Sequence, residues 1–418
     1  MSPRSRIAIA FALVAAVGAV ACADDAPGTP DAGFATMGMP GIPSPTRVGV
    51  NLVFADVAID GHPGGRLGVD TGSPIMLVDT TKFPGLPVPP ANQWTGDLTV
   101  GQFTVNDVPL FQFQSGGGMD PLNFAGLLGG NVMRQFSVRF DYANPDHAFR
   151  LGMPEMQMAT TGVETPGTAV TFNLEGGGLG RFENEVLTIP ATRIPLTVEV
   201  DGTALPFILD TGASETTVRS SVYATLTADG RGELVGLPIG TVNGPTTASV
   251  TRARTLTVAG ETVTNAAVMT IGDAILDGIQ TEVRHPVDGL LGGNFLREFM
   301  VTVDYPRGTL HLQRYTTPPT VDEFKRIGVE LGAGVGAHRY TVGVVYEGTD
   351  AKMKLLSVGD EIVSINGQAL DPLDSVTADG LLSGTVGAAY AVALGTARTP
   401  GLSNTTVDVL IDDLIPAP

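Results

Sequence analysis

The sequence predicts a mainly β fold made of two related lobes, followed by a smaller α+β unit. Three observations support this prediction. From about residue 47, short alternating apolar runs are separated by Gly, Asn-Gly and Asp-Gly signals, a pattern typical of strands and hairpins. Stretches with the 3.6-residue period of helices are almost absent before residue 320. Two long motifs also occur twice in the same order, which indicates a duplicated β unit.

The composition and charge exclude one large class of partners. The chain has 418 residues, with 24 Lys and Arg against 43 Asp and Glu, for a formal net charge of −19. Binding to nucleic-acid phosphates needs clustered cations, and the sequence contains no basic stripe, so we expect no nucleic-acid partner. A hydrophobic content of 43% with 54 glycines favours a turn-rich globular protein over a disordered chain.

Residues 1–22 have the pattern of an export signal. Two arginines precede a 14-residue apolar run that ends in small residues, and this run is too short to span a bilayer comfortably. Two forms of processing fit: ordinary cleavage after Ala21, or lipid attachment to Cys22. Ala19 replaces the Leu that lipoprotein signals favour, but Cys22 is the only cysteine and has no intrachain partner. We predict a protein of the bacterial periplasm or outer envelope that is lipid-anchored through Cys22, and otherwise secreted.

The duplication is visible in two pairs of segments. LGVDTGSPIMLVD at 67–79 matches FILDTGASETTV at 207–218, and each follows a strand with a tight Asp-Gly turn. GLLGGNVMRQFSVRFDY at 126–142 matches GLLGGNFLREFMVTVDY at 289–305, with 11 of 17 positions identical. Chance is a poor explanation for two matches in the same order. The sequence therefore predicts two equivalent β lobes related by a pseudo-twofold axis.

The second copy is longer than the first. The two Asp-Thr-Gly motifs are offset by 140 positions. A shorter match, Leu-Thr-Val at 98–100 and again at 256–258, follows them and is offset by 158 positions. The additional residues include GLPIGTVNGPTTASVTRA at 236–253, two extended runs around an Asn-Gly turn. This pattern predicts a β-hairpin that the first lobe lacks.

The repeated Asp-Thr-Gly motif places a carboxylate on a tight loop after an apolar strand. Pseudo-twofold packing of the copies would bring Asp70 and Asp210 face to face. Two carboxylates held this close cannot both ionise easily, so the pair retains one proton and titrates as a unit. The ionised member can take a proton from a shared water while the protonated member polarises a peptide carbonyl. This chemistry requires no metal, nucleotide or other cofactor, and we expect none.

Both halves resemble the aspartic peptidases of the pepsin and retropepsin group, particularly the bacterial retropepsin-like proteins with a C-terminal PDZ domain. The resemblance covers about 47–315 and is carried by Asp-Thr-Gly-Ser at Asp70 and Asp-Thr-Gly-Ala-Ser at Asp210. It implies two retropepsin-like acid-protease lobes in which Asp70 and Asp210 are the catalytic pair.

The resemblance also assigns supporting roles. Thr71 and Thr211 would form hydrogen bonds between the lobes, and Ser73 would steady the Asp70 carboxylate. Position 213 is Ala, as in retropepsins, so that support is not symmetric. The Leu-Leu-Gly segments would lie beneath the catalytic loops. The residues implied to support the dyad are Thr71, Gly72, Ser73, Thr211, Gly212 and Ser214.

The hairpin of the second copy is similar in placement to the flap that covers substrate in this family. It has a Gly-rich tip and lacks the tyrosine of the pepsin flap. The implied flap residues are Gly240, Thr241, Val242, Asn243 and Gly244.

The C-terminal part resembles a PDZ domain on the strength of VGDEIVSINGQ at 358–368. PDZ domains bind a C-terminal peptide as an added strand at a sheet edge. The implied peptide-binding residues are Arg339, Tyr340, Thr341 and Val342. The whole prediction divides the chain into an export signal (1–22), a flexible tether (23–46), a first lobe (47–155), a second lobe with the flap hairpin (165–315) and a PDZ-like domain (323–418).

The predicted function is hydrolysis of peptide bonds by water activated between Asp70 and Asp210, with a protein or peptide as substrate. Two alternatives stay open. The chain could keep the lobes as a peptide-binding envelope protein that does not cut, although a pure binder has no need of two carboxylates. A peptidase could also assemble its dyad from lobes of two chains.

Overall fold

The structure is a computed structural model. Among the described residues no helix is long and apolar enough to cross a membrane. The structure describes residues 51–87, 89, 92–101, 103–113, 124–143, 149–152, 167–182, 185–241, 244–317, 322, 324–333, 338–373 and 375–418, with the strand segments 9–10, 36–37 and 46–49.

The first lobe is built on an eight-stranded sheet. Its second hairpin turns at Asp60 and Gly61, whose φ angles of 51° and 75° suit the tight turn that Asp-Gly favours. The strand His62–Val69 then pairs in parallel with Phe124–Leu128, which also runs antiparallel to Met76–Val78. A short 3-10 helix (Thr80–Lys82) and a helical turn (Gly130–Met133) complete the lobe. The strands of this sheet are Thr36–Met37, Thr46–Gly49, Leu52–Ile59, His62–Val69, Met76–Val78, Gln93–Val100, Phe103–Gln112 and Phe124–Leu128.

The second lobe repeats this topology in another eight-stranded sheet. Its corresponding turn is Asp201-Gly202, and the strand Thr203–Leu209 pairs in parallel with Gly289–Leu291. Helices span Ser220–Thr227, Ala274–Val283 and Gly293–Leu296. The strands of the sheet are Ile9–Ala10, Pro195–Val200, Thr203–Leu209, Thr216–Val218, Glu233–Thr241, Gly244–Val258, Glu261–Thr270 and Gly289–Leu291, and a separate two-stranded hairpin is formed by Gly178–Phe182 and Glu185–Ile189.

A five-stranded sheet joins the two lobes. At its centre the strands Ser137–Asp141 and Phe299–Asp304 are antiparallel, and Arg139 is paired with Thr302, its own counterpart in the second repeat. The pairing is therefore self-complementary, as a twofold axis through this point requires. Apolar residues of both lobes form one continuous buried core around it. The remaining strands of this sheet are Phe149–Gly152, Thr168–Thr171 and Thr309–Arg314, the last preceded by a 3-10 helix at Tyr305–Arg307. The predicted mainly β, two-lobed fold is confirmed.

The C-terminal unit has a separate apolar core that includes Ile327, Ile362 and Val392. Its identification as a PDZ domain stays a prediction. A four-stranded sheet has the order Gln368–Ala369, Ile362–Ile365, Ala389–Leu394, Thr406–Leu410. Two further antiparallel pairs are formed by Val329–Ala333 with Tyr340–Val345 and by Lys325–Arg326 with Asp412–Asp413. The helices of the unit span Asp350–Met353 and Ser375–Gly380.

The C-terminal unit packs on the long hairpin of the second lobe. Buried Leu237, Ile239 and Val250 of the hairpin share an apolar cluster with Phe324 and Ile415. Because both faces of this contact are apolar and buried, the hairpin and the C-terminal unit are held together by the same hydrophobic effect that stabilises a domain core.

Arg252 adds a polar anchor to the same contact. This side chain is 3% exposed and forms ion pairs with Asp322 (2.8 Å) and Asp413 (3.2 Å). Its Nε also donates to the Ile415 carbonyl, and Nη1 donates to the Asn265 carbonyl at 2.8 Å. One buried guanidinium therefore ties the hairpin to both ends of the C-terminal unit.

We expect Arg252→Met to loosen the C-terminal unit, because it leaves two carboxylates and two carbonyls without their shared donor. Breaking a buried ion pair in this way costs about 3 kcal/mol. Denaturant unfolding should show the C-terminal unit melting earlier, with faster proteolysis near 316–323. Arg254→Met is the matched control, since Arg254 lies on the same strand but is 54% exposed. An equal effect of both variants would contradict this account, because an exposed pair contributes at most about 1 kcal/mol.

Candidate active site

Two equivalent loops place Asp70 and Asp210 at the centre of the molecule. Asp70 follows the strand His62–Val69, and its amide donates to the Leu128 carbonyl at 3.0 Å. Asp210 follows Thr203–Leu209, and its amide donates to the Leu291 carbonyl, also at 3.0 Å. Both aspartates are buried. The equivalent strand pairings therefore place the two carboxyls at equivalent positions in the two lobes.

The Leu-Leu-Gly segments support these loops from below. The Gly130 amide donates to the Ser73 carbonyl at 2.7 Å, and the Gly293 amide donates to the Ala213 carbonyl at the same distance. A Cβ at Gly129 would lie 2.1 Å from the Ile75 carbonyl oxygen, so the loop can approach only a glycine here. A Cβ at Gly292 would lie 2.5 Å from the Glu215 main chain, so the matching position of the second lobe also requires glycine.

The two threonines cross-link the lobes. The Thr71 amide donates to Thr211 Oγ1 at 3.0 Å, and the Thr211 amide donates to Thr71 Oγ1 at 3.0 Å. Each hydroxyl then donates to a main-chain carbonyl of the opposite lobe, Thr71 to Leu209 (3.0 Å) and Thr211 to Val69 (2.8 Å). These four buried bonds fix the spacing of the two aspartate loops.

Each carboxyl lies over the glycine of the opposite loop. A Cβ at Gly72 would be 2.5 Å from Asp210 Cγ, and a Cβ at Gly212 would be 2.4 Å from Asp70 Cγ. No other residue type allows this approach, which brings the two carboxyl groups together. Asp210 Oδ1 accepts from the Gly212 amide at 2.9 Å.

Burial raises the proton affinity of this pair. Burial and the neighbouring Asp210 carboxylate raise the pKa of Asp70 well above its ordinary value. Burial also raises the pKa of Asp210 to about 6, against the opposing effects of hydrogen bonding with Asp70 and the charge of Arg193. The pair therefore carries one proton at neutral pH, because two adjacent buried carboxylates cannot both ionise easily.

The serines of the two loops are placed differently from what the resemblance implied. Ser73 Oγ donates to the Ile75 carbonyl at 2.8 Å and makes no described hydrogen bond to Asp70, so the expected support of that carboxylate is corrected. Ser214 Oγ is buried without a hydrogen-bond partner among the described residues. The reason is local: a serine hydroxyl in a turn can donate to a nearby main-chain carbonyl, here that of Ile75 two residues ahead.

Several buried polar residues of the two lobes could not be identified as a network from the sequence. Asn51 Nδ2 donates to Glu215 Oε1 at 3.1 Å, and Arg297 Nη1 donates to Asn51 Oδ1 at 2.6 Å, which links the first lobe to the second. Asn294 accepts from both the amide and the hydroxyl of Thr216. Asn294 belongs to the repeated segment and could have been found there. Asn51 and Arg193 carry no such signal.

The predicted hairpin is present and longer than expected. Its strands Glu233–Thr241 and Gly244–Val258 are antiparallel, with Thr241 opposite Gly244 at the tip. Gly240, Thr241 and Gly244 thus lie at the tip, while Val242 and Asn243 lie outside the described residues. In the described part of the first lobe, the connection between Met76–Val78 and Gln93–Val100 contains only a 3-10 helix.

The predicted peptide-binding residues of the C-terminal unit lie at the start of the strand Tyr340–Val345. The Arg339 amide donates to Asp371 Oδ1 at 2.8 Å, and the Tyr340 hydroxyl donates to the Leu373 carbonyl. Thr341 forms an isolated bridge with Glu361. The Val342 amide donates to Asp360 and its carbonyl accepts from Gly359, both at 2.8 Å. An added peptide strand therefore cannot use the main chain of Val342 while this contact holds.

Two further predictions concern lipid and metal. Cys22, the predicted lipid site, lies outside the described residues. Within the described ranges, no group of three or more His, Cys, Asp or Glu side chains is arranged to hold a metal ion.

Comparison with known proteins bears mainly on the second lobe. Residues 196–295 match the family model described as aspartyl protease, a range that includes Asp210 and the second Leu-Leu-Gly segment. A comparison with curated proteins gave no match. Among solved structures, the chain is similar to the aspartic proteinase from Irpex lacteus, with a TM-score of 0.39 and 13% identity over 69% of this chain and 98% of that one.

Proposed function

We propose that this protein is an aspartic endopeptidase that hydrolyses peptide bonds with water activated between Asp70 and Asp210. The observation that carries the proposal is the mutual approach of the two buried carboxyls, each over the glycine of the opposite loop, within one chain. The aspartyl protease match over the second lobe supports it.

The chemistry follows from the shared proton. Asp210, the member with the lower pKa, is ionised and takes a proton from water as the water oxygen bonds to the peptide carbonyl carbon. Asp70 gives its proton to the carbonyl oxygen, which leaves a neutral tetrahedral diol. As the C–N bond breaks, Asp210 returns its proton to the leaving nitrogen, and Asp70 regains one from a diol hydroxyl. Both carboxyls then have their starting protonation, and the products are an acid and an amine.

The hairpin and the C-terminal unit supply the proposed substrate contacts. In this proposal the hairpin tip at Gly240–Gly244 covers a peptide lying across the dyad. Its strands pack on the C-terminal unit close to the tip, at Leu237 and Ile239, and this shared apolar cluster supports a role for the unit in regulating access. We further propose that this unit is PDZ-like and holds peptide ends near Arg339–Val342, and that the protein is exported and anchored through lipid on Cys22.

The test compares the purified wild-type chain with Asp70→Asn and Asp210→Asn on an unfolded protein substrate from acidic to neutral pH. We expect the wild type to produce new amino termini and each variant to lose cleavage, because the chemistry needs one proton donor and one proton acceptor. Equimolar mixing of the two variants is the decisive control. A dyad formed within one chain stays inactive on mixing, whereas a dyad formed between chains recovers activity.

Three outcomes would contradict the proposal. Cleavage that survives in either single variant would show that the pair is not the catalytic group. Recovery of cleavage when the two variants are mixed would show that the dyad forms between two chains. Binding of unfolded substrate by a wild type that never cleaves it, at any pH tested, would favour the peptide-binding alternative.

A further inference from the structure

Arg193 is a buried cation beside an otherwise symmetric acidic site. It is 1% exposed and lies between Thr192 and Ile194, which are both fully buried. The Ile194 carbonyl accepts from the Leu209 amide at 2.9 Å, and Leu209 immediately precedes Asp210. The main chain of this segment therefore runs alongside the end of the strand that delivers Asp210 to the dyad.

The first lobe has no equivalent of this cation. Thr192 packs against Gly130, where an added Cβ would lie 2.5 Å from its side chain, and Asn51 packs against Gly293, where an added Cβ would lie 2.0 Å from its carbonyl oxygen. Thr192 and Asn51 thus occupy matching places about the pseudo-twofold axis. The residue after Asn51 is Leu52, in the position that matches Arg193, so this position carries a charge on one side of the pair only.

A carboxylate on the helix Ala274–Val283 holds the guanidinium in place. Arg193 Nη2 donates to Glu282 Oε2 at 2.8 Å, and Nε is 3.3 Å from both Glu282 oxygens. Both side chains are nearly inaccessible, at 2% and 8% exposed. Nη1 is buried without a hydrogen-bond partner among the described residues. Glu282 therefore engages one edge of the guanidinium and leaves another nitrogen uncommitted.

We propose that Arg193 is a positioning residue that keeps the Asp70–Asp210 pair singly protonated, and that Glu282 limits how much of the Arg193 charge the pair experiences. The charge acts on both carboxyls: burial raises the pKa of each, and Arg193 lowers both. The interaction also acts on Arg193. Burial lowers the pKa of its guanidinium, whereas the carboxylates of Glu282, Asp210 and Asp70 raise it. Only the catalytic consequence of this inference rests on the proposed function.

Other titratable groups pack around the same region. Tyr305, after the central strand of the joining sheet, is buried, and both burial and the charge of Asp70 raise its pKa. Glu215 and Arg297 are linked through Asn51 on the loop side. Next to Arg193 in the structure, Glu175 pairs with His285, and both are about one-third exposed. Their charges therefore reach the dyad through more solvent than the charge of Arg193 does.

The experiment measures the dyad titration directly, by carboxyl carbon NMR on chains with ¹³C-labelled aspartate. Asp210→Asn and Asp70→Asn assign the signals. We expect Arg193→Met to raise the lower apparent pKa of the pair by about one pH unit, a tenfold change in proton affinity. We expect Glu282→Gln to shift it in the opposite direction, because an unpaired guanidinium acts more strongly on the pair. Arg193→Lys keeps a charge and should stay near the wild type.

Opposite shifts from the two halves of one ion pair distinguish this role from a structural one, since loss of packing alone would move both variants the same way. If Arg193→Met folds poorly, the double variant with Glu282→Gln removes both charges and should fall between the single variants. Shifts of the same sign, or no shift in any variant, would overturn the inference. The acid limb of kcat/KM should follow the NMR values. If the wild type does not cleave, the titration still decides the role of Arg193, and only the proposed function fails.

Discussion

Asp210→Asn is expected to make the folded chain more stable at pH 7 by about 3 kcal/mol while it abolishes cleavage. The estimate follows from the pKa of Asp210, which burial raises from 3.8 to about 6, at 1.36 kcal/mol for each pKa unit. Replacing the carboxyl with an uncharged amide of the same shape removes the cost of holding a second titratable group next to Asp70. Thermal unfolding of both chains across pH measures the difference.

The pH dependence has a definite sign. A carboxyl whose pKa is higher in the folded chain binds more protons there than in the unfolded chain. Its contribution to stability is therefore fully present below about pH 4 and is lost as the pH rises through about 6. The stability of wild type and variant should converge at pH 3 and separate towards neutrality. Cleavage by the wild type should weaken as the pH falls below about 6, because protonation of Asp210 removes the base.

Asp229→Asn is the matched control, since it is the same chemical change at a group with the opposite shift. Hydrogen bonding with Arg231 lowers the pKa of Asp229, with a further contribution from Arg254. This substitution should therefore reduce stability at neutral pH and leave cleavage unchanged. A stability loss in Asp210→Asn at pH 7 would show that the dyad is not a destabilising element of the fold.

Thr211→Val is expected to destabilise the protein by about 3 kcal/mol and to reduce kcat/KM by about 100-fold. The Thr211 hydroxyl accepts from the Thr71 amide and donates to the Val69 carbonyl, across the interface between the lobes. Valine has the same shape but leaves both main-chain groups buried without this partner. The two aspartate loops would then lose a bond that fixes their separation. Denaturant unfolding and steady-state kinetics measure the two effects.

Thr211→Ser separates the hydroxyl from the methyl group. It keeps both hydrogen bonds and should retain most of the stability and activity. Thr71→Val should behave like Thr211→Val, because the network is symmetric. If the serine variant were as impaired as the valine variant, packing of the methyl group, not the hydrogen bonds, would hold the lobes in register.

The two-lobed fold could be predicted because two long motifs occur twice, in the same order, along the chain. Each copy contains an apolar strand, then an aspartate, then a turn that needs glycine, and the matching segments at 67–79 and 207–218 show which residues these are. The self-complementary pairing of Arg139 with Thr302 is the three-dimensional form of that repeat. Asp70 and Asp210 meet because equivalent residues near a twofold axis must be close to each other. The hairpin was predictable from the longer spacing in the second copy.

The contacts between distant segments could not be predicted in this way. Arg193 and Glu282 are 89 positions apart and belong to no repeated motif. The Ser73 hydroxyl donates to the Ile75 carbonyl, a contact that depends on the exact path of the loop and carries no sequence signal. The packing of the C-terminal unit on the hairpin joins two apolar surfaces that sequence patterning assigns to separate domains.

Local sequence signals were enough to predict the β architecture, the two matching motifs and the two aspartates that face each other, because strand periodicity, turn chemistry and repetition can be read along the chain. The buried charge beside the pair, the groups that the serines contact and the surface that packs on the hairpin became visible only in three dimensions. These features depend on distances between segments remote in sequence, and electrostatic and hydrogen-bond energies change steeply with such distances in a buried site.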